Sequence, residues 1–131
     1  MNVKTLRPLL NVEDVSRSIR FYRDRLGFDV VFESEADGRI RFASLRNSGI
    51  ELLLNEPGEV DSRDRRHRGT YADAVLYFTV ADVDALHAQL REAGFPVSEL
   101  EDEAYGLREF TVRDPDGYEL AFGAPLTVEA A

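Results

Sequence analysis

Two glutamates stand at matching places in two similar stretches, Glu51 in "GIELLLN" and Glu119 in "DPDGYELAFG". Each lies between bulky apolar neighbours in a strand-like run, so alternation sends the carboxylate to one face and the neighbours to the other. On such a face a carboxylate can accept hydrogen bonds from a ligand, attract a cation, or act as a general base if desolvation raises its pKa. The same alternation gathers Arg7, Leu9 and Asn11 from a first run, Leu53 and Asn55 beside Glu51, Val75, Tyr77 and Thr79 from a third run, and Ala121 and Gly123 beside Glu119. A guanidinium, a phenol and two amides thus accompany the carboxylates among small and apolar groups. Two readings fit this mixture. It can be the solvated face of an antiparallel sheet, or it can line a cleft, which the apolar Leu9, Leu53, Val75 and Tyr77 favour.

Other chemistries have less to build on. The chain has no cysteine, which removes disulfides, thiolate metal sites and a cysteine nucleophile. Its two histidines, His67 and His87, share no metal-binding spacing, and His87 reads as a helix-flank residue beside an apolar stripe. "RDRRHR" (63–68) reads as a solvated loop or as a segment closing over an anionic group. "SELEDEAY" (98–105) reads as a charged edge strand or as an electrostatic lure for a cation. No Gly-rich phosphate loop or nucleophile elbow is present. Sixteen basic against 25 acidic residues give a net charge of −9, which argues against nucleic acid as a partner and favours a neutral or cationic one. No apolar run approaches the roughly 18 residues of a membrane span, and no stretch reads as a signal peptide. The expectation is a cytoplasmic protein with no membrane partner.

The elements that must position these residues repeat. "DVSRSIRFYRDRL" carries Val15, Ile19, Tyr22 and Leu26 at helical spacing, with Asp14 as cap and Gly27 as stop. "DVDALHAQLREA" does the same with Val83, Leu86 and Leu90, capped by Asp82 and ended by Gly94-Phe95. Strand-like runs flank both helices: "LRPLLNVE" before the first and "DVVFES", "IRFASLR" and "IELLLNE" after it; "AVLYFTV" before the second and "FPVSELE", "LREFTVRD" and "YELAFG" after it. "VEDV" aligns with "VADV", "LGF" with "AGF", and "FASLRNSGIEL" with "FTVRDPDGYEL", at an offset of about 68 residues, one less past the helices. The chain reads as a single α+β domain over 1–131: a β-α-β-β-β module at about 5–56, a polar connector at 57–73 that is mobile or a lid, and a second module at about 74–124. The even-numbered strand residues (Leu6, Pro8, Leu10, Val12; Ile50, Leu52, Leu54; Ala74, Leu76, Phe78, Val80; Tyr118, Leu120, Phe122) carry no charge and are expected under the helices.

Paired modules with "VEDVSRSIRFYRDRLGF" after the first strand, "IELLLN" closing the first half and "DPDGYELAF" at the end resemble the vicinal oxygen chelate superfamily, which comprises the glyoxalase, bleomycin-resistance and extradiol-dioxygenase proteins. The similarity covers roughly residues 5–124. It implies a curled eight-stranded mixed sheet, an incomplete barrel around a cavity with the helices on its convex face, commonly in a homodimer. In metal-dependent relatives four cavity-facing positions hold the ion. Carried over by motif they fall on Arg7, Glu51, Val75 and Ala121, of which only Glu51 matches; Glu119 lies two positions before the usual ligand. The expectation is therefore no metal and no cofactor, or, if a divalent metal binds, Glu51 as its only inherited ligand. Arg7 and Glu51 are expected to form a partly buried ion pair where an ion would otherwise sit, with solvent or Glu119 as the alternative partner of Arg7.

The resemblance implies a protein that binds a small neutral or cationic organic ligand in a metal-free cavity lined by Arg7, Asn11, Glu51, Asn55, Tyr77 and Glu119, with drug sequestration and antibiotic resistance as the nearest model. The rival reading is a lyase, isomerase or dioxygenase-like enzyme, with an atypical metal site or with Glu51 or Glu119 as a metal-free general base. A third is a regulatory or assembly module whose dimer surface matters more than its cavity.

Overall fold

The structure, a computed structural model, describes residues 1–57 and 71–126, with the side chains of 71–73 left aside. The chain divides into two compact units, Met1–Gly69 and Thr70–Ala131. The connector's "RDRRHR" and His67, and with them the lid reading, lie outside the described residues.

The first unit runs β1 (Leu9–Asn11), α1 (Val15–Leu26), β2 (Asp29–Ala36), β3 (Arg39–Asn47) and β4 (Ile50–Asn55). Its four strands form one mixed sheet in the order β1-β4-β3-β2, with β1 parallel to β4 and the others antiparallel. The second unit repeats the plan with β5 (Tyr71–Thr79), α2 (Val83–Glu92), β6 (Glu101–Asp102), β7 (Leu107–Arg113) and β8 (Tyr118–Pro125). Its sheet order is β5-β8-β7-β6, with β5 parallel to β8. The expected α+β class and the β-α-β-β-β modules are both present.

Local chemistry starts and stops the helices as their sequences predict. Asp14 accepts from the Arg17 amide at 3.2 Å, and Asp82 from the Ala85 amide at 3.0 Å, so each aspartate satisfies an amide that has no partner within its helix. Gly27 adopts φ +78°, where a side chain is strained. It lets the Gly27 and Phe28 amides turn back to the Arg23 and Tyr22 carbonyls, and Phe28 then drops into the core at 3% exposure.

Even-numbered residues form the helix-side face, as alternation requires. Leu10, Val12, Leu52 and Leu54 are buried with Ala43 and Leu45 of β3, and α1, which packs on β3 and β4, buries Val15, Ile19 and Tyr22. Phe21 and Ser18 are buried too, so the helix contributes a wider stripe than its four predicted positions. In the second unit Leu120 and Phe122 join Phe110 and Val112 of β7 beneath Val83 and Leu90 of α2. Phe78, Phe122 and Phe110 stack in a row with centroids 5.2 and 5.3 Å apart. Leu6, Ile50 and Ala74 stay exposed, Leu6 ahead of β1, Ile50 at the start of β4 and Ala74 in the irregular stretch of β5, while Pro8, Leu76, Phe78, Val80 and Tyr118 are half-buried.

Three boundaries differ from expectation. "FPVSELE" forms a strand only at Glu101–Asp102. Pro96 has no amide to offer a ladder, and Ser98 pairs with Thr111 through both its amide and its hydroxyl instead of through regular strand bonds. β5 begins at Tyr71, inside the stretch read as connector, with an irregularity in its pairing between Tyr71 and Val75. The gapless match of "FASLRNSGIEL" with "FTVRDPDGYEL" slips by one residue in the first strand of each pair. Arg46 lies opposite Glu51 and Arg113 opposite Glu119, so the modules are offset by 67 residues on β3 and β7 but by 68 on β4 and β8. The "DPDG" turn is one residue longer than "NSG", and a gapless match would put β7 on the wrong face.

No helix among the described residues is long and apolar enough to cross a membrane.

Candidate functional site

In the first unit one predicted residue, Arg7, and two unpredicted ones, Ser44 and Arg46, come together around Glu51. Arg7 Nη1 donates to Glu51 Oε1 at 3.3 Å from just before β1. Ser44, buried on β3, donates its hydroxyl to the same oxygen at 2.9 Å, and Arg46 Nη2 stands 3.7 Å from Oε2. Two repeats of the pleat further along the same face, Asn55 Nδ2 donates to Asn11 Oδ1 at 3.1 Å, matching the Asn11–Asn55 register of the parallel β1–β4 pair. The Arg7–Glu51 pair is present but wetter than expected: the two side chains are 49% and 26% exposed.

These donors decide the protonation of Glu51. The Ser44 hydroxyl, then the Arg7 hydrogen bond and the charges of Arg7 and Arg46, outweigh desolvation and hold the carboxyl below the ordinary glutamate value. The rival general-base reading needs the opposite shift, and at Glu51 the direction runs against it. A carboxylate fastened by two hydrogen-bond donors, with a second guanidinium close by, is an acceptor in a fixed place.

The second unit repeats part of this pattern. Arg113 Nη2 lies 3.7 Å from Glu119 Oε1 across β7 and β8, as Arg46 does from Glu51. Val75 is the register partner of Glu119 on β5, so nothing there corresponds to Arg7. Glu119 therefore pairs within its own sheet. Tyr77 on β5 reaches across β8 and donates its hydroxyl to Glu109 Oε2 on β7 at 2.5 Å. Tyr105 donates to Glu109 Oε1. The acceptor carboxylate raises the Tyr77 phenol to about 12 and the Tyr105 phenol higher still. Glu103 is itself raised, by desolvation first and then by its neighbours Glu109 and Glu101.

Sequence reasoning missed Ser44, Arg46, Arg113, Glu109 and Glu56. Arg46 lies directly across from Glu51 and Arg113 from Glu119, while Ser44 lies opposite Leu53 and reaches Glu51 diagonally, so these partners are set by pairing register, not by composition. Glu56 is buried and accepts from Arg39 at 2.5 Å, from Arg41 at 3.4 Å and from the Val15 amide at 3.2 Å, where it fastens the start of α1. His87 is a helix-flank residue as expected: Nε2–H donates to the Ser98 carbonyl at 2.8 Å, and the ring meets Phe110 edge-on at 5.0 Å. Among the described residues no cluster of three or more His, Cys, Asp or Glu side chains is arranged to hold a metal.

The family model described as Glyoxalase/Bleomycin resistance protein/Dioxygenase superfamily matches residues 4–122. The chain belongs to this superfamily. Within the reach of this glyoxalase-superfamily fold, an uncharacterized protein of Mycobacterium bovis is 32% identical over 130 residues, covering 92% of this chain and 83% of that protein. A bleomycin resistance protein of Geobacillus stearothermophilus is 29% identical over 126 residues, covering 88% and 92%. Among solved structures, TioX from Micromonospora sp. ML1 superimposes with a TM-score of 0.74 at 25% identity, covering 95% of this chain and all (100%) of that one. TnmS3, an antibiotic binding protein from Streptomyces sp. CB03234, gives 0.73 at 22% identity over 95% and 98%, a likeness of fold.

Proposed function

We propose that this superfamily member binds a small organic ligand, neutral or cationic, without a metal ion, and that drug sequestration is its nearest biochemical model. The observation that carries this reading is the state of Glu51. Of the four positions that hold the ion in metal-dependent relatives, it alone has a ligating side chain, and Ser44 and Arg7 already engage its Oε1. Arg7 stays cationic, and Val75 and Ala121 carry no lone pair, so this donor set does not fit a divalent ion. In the first unit a ligand would instead meet polar groups already fixed in place, Arg7–Glu51 and Asn11–Asn55 beside Leu9 and Leu53; in the second, taken by itself, Tyr77 and Glu119 beside Val75 offer groups of the same kind. The similarity to a bleomycin resistance protein supports the same direction, and the net charge of −9 suits a cationic guest.

The test is a thermal-shift panel of bleomycin-type cationic glycopeptides, thiol adducts and aromatic metabolites, run on metal-analysed protein. The expected result is a melting temperature that rises with one ligand class at substoichiometric metal. Stoichiometric zinc, nickel, manganese or iron in purified protein, or turnover of the stabilising ligand, would replace binding with enzymatic chemistry.

A further inference from the structure

Tyr77 and Glu109 sit on strands that are not neighbours. β8 runs between them, and two strand spacings amount to about 10 Å. The phenol can reach the carboxylate only by lying across β8, and it crosses at Gly123, the register partner of Glu109. The crossing is tight. A Cβ on Gly123 would fall within the Tyr77 hydroxyl and 2.9 Å from its ring carbon Cζ. Gly123 has no left-handed backbone to explain it; the missing side chain is what leaves room for the ring. The ring is fastened at its far end by Glu109, yet Tyr77 remains 45% exposed, and Val75 beside it 42%.

We propose that Gly123 and Glu109 are positioning residues that hold Tyr77 across β8 as a preformed platform for a planar, cationic aromatic group. This rests on the ligand-binding reading above and names the chemical class of the guest at its Tyr77 end. A ring already fixed loses little rotamer freedom when a second ring stacks on it. A phenol donating to a carboxylate gains electron density on its face, which strengthens attraction for a cation. Glu103 places further negative charge near the ring.

The chain contains five tyrosines and no tryptophan, so tyrosine absorbance and emission report directly. The probe is proflavine, a planar aromatic cation, compared with naphthalene-1-sulfonate, a planar anion. Proflavine is expected to bind with a red-shifted absorbance band and quenched tyrosine emission, at least tenfold more tightly than the anion. Gly123→Ala and Tyr77→Ala should each weaken it about tenfold or more, and Glu109→Gln, which keeps an acceptor, should weaken it less than Glu109→Ala. In a Tyr105→Phe background, tyrosinate absorbance at 295 nm should contain a late-titrating phenol that moves to lower pH in Glu109→Gln and is lost in Tyr77→Phe. That readout holds if Gly123→Ala fails to fold. Unchanged proflavine affinity in a folded Gly123→Ala, or an unmoved phenol in Glu109→Gln, would overturn the positioning. No preference for proflavine over the anion would overturn the ligand class. A bleomycin-type ligand that still stabilises Tyr77→Ala as it does the wild type would refute the platform while leaving the binding reading intact.

Discussion

Arg7 donates to Glu51 across 3.3 Å and thereby ties the segment before β1 to the start of β4. Both groups are partly in water, so the pair is screened and its contribution is modest. Glu51→Gln should lower the melting temperature slightly at neutral pH and weaken ligand binding more clearly, because Arg7 and Ser44 lose their common acceptor. The stability difference should shrink as salt is raised from 0.01 to about 1 M. Thermal denaturation at both salts checks it, and identical melting and binding would remove the pair from the site.

The protonation of Glu51 gives a second expectation. Its folded pKa lies below the usual 4.5, so the unfolded chain takes up the proton first on acidification. The stabilising contribution is therefore complete above the ordinary glutamate range and is lost as pH falls through the lowered folded value. Because Ser44 is the largest cause, Ser44→Ala should move the carboxyl titration of Glu51 upward. Carbon-13 NMR of the side-chain carboxyl reads the midpoint, and an unmoved midpoint would assign the shift to the arginines alone.

Leu120 is fully buried between Val112 and its own strand neighbours in the second core. Leu120→Ala should cost about 2–5 kcal/mol, the range for a buried leucine whose surroundings relax only in part. Urea denaturation measures it; a loss below about 1 kcal/mol would mean that the site collapses around the gap.

Asp114 opens the longer turn. It is buried, and its Oδ1 accepts from the Asp116 and Tyr118 amides, each at 2.9 Å. Asp114→Ala should cost about 1–3 kcal/mol by leaving these amides without their acceptor, whereas Asp114→Asn should cost less. If the two variants are equally unstable, charge rather than hydrogen bonding holds the turn.

How much of this was legible in the sequence follows from what each feature depends on. Asp14, Gly27 and Asp82 act within one turn of chain, and their roles could be read directly. The uncharged face of Leu10, Leu52 and Leu120 follows from period-two alternation alone. The Arg7–Glu51 pair could be anticipated because relatives place those positions together. Arg113 and Glu109 could not be read, since their partners depend on the extra residue in the turn that Asp114 organises, and a one-residue slip reverses a strand. The Tyr77–Glu109 bond depends on a third strand presenting a bare backbone at Gly123, a three-strand coincidence that no local pattern records. The failed strand around Val97 had a visible cause in Pro96, outweighed at first sight by its alternating apolar residues.

The parallel pairing of β1 with β4 also bears on biosynthesis. β2, β3 and β4 are joined by short hairpins and can zip as soon as each is made, but Asn11 finds its register partner only at Asn55. While the ribosome is still adding residues, the opening strand must wait as an unpaired tail until the whole first repeat has emerged, and the second repeat imposes the same delay between Tyr77 and Ala121. A nascent chain stalled before either point would present an unfinished sheet edge to its neighbours, the state in which chaperones would be expected to meet it.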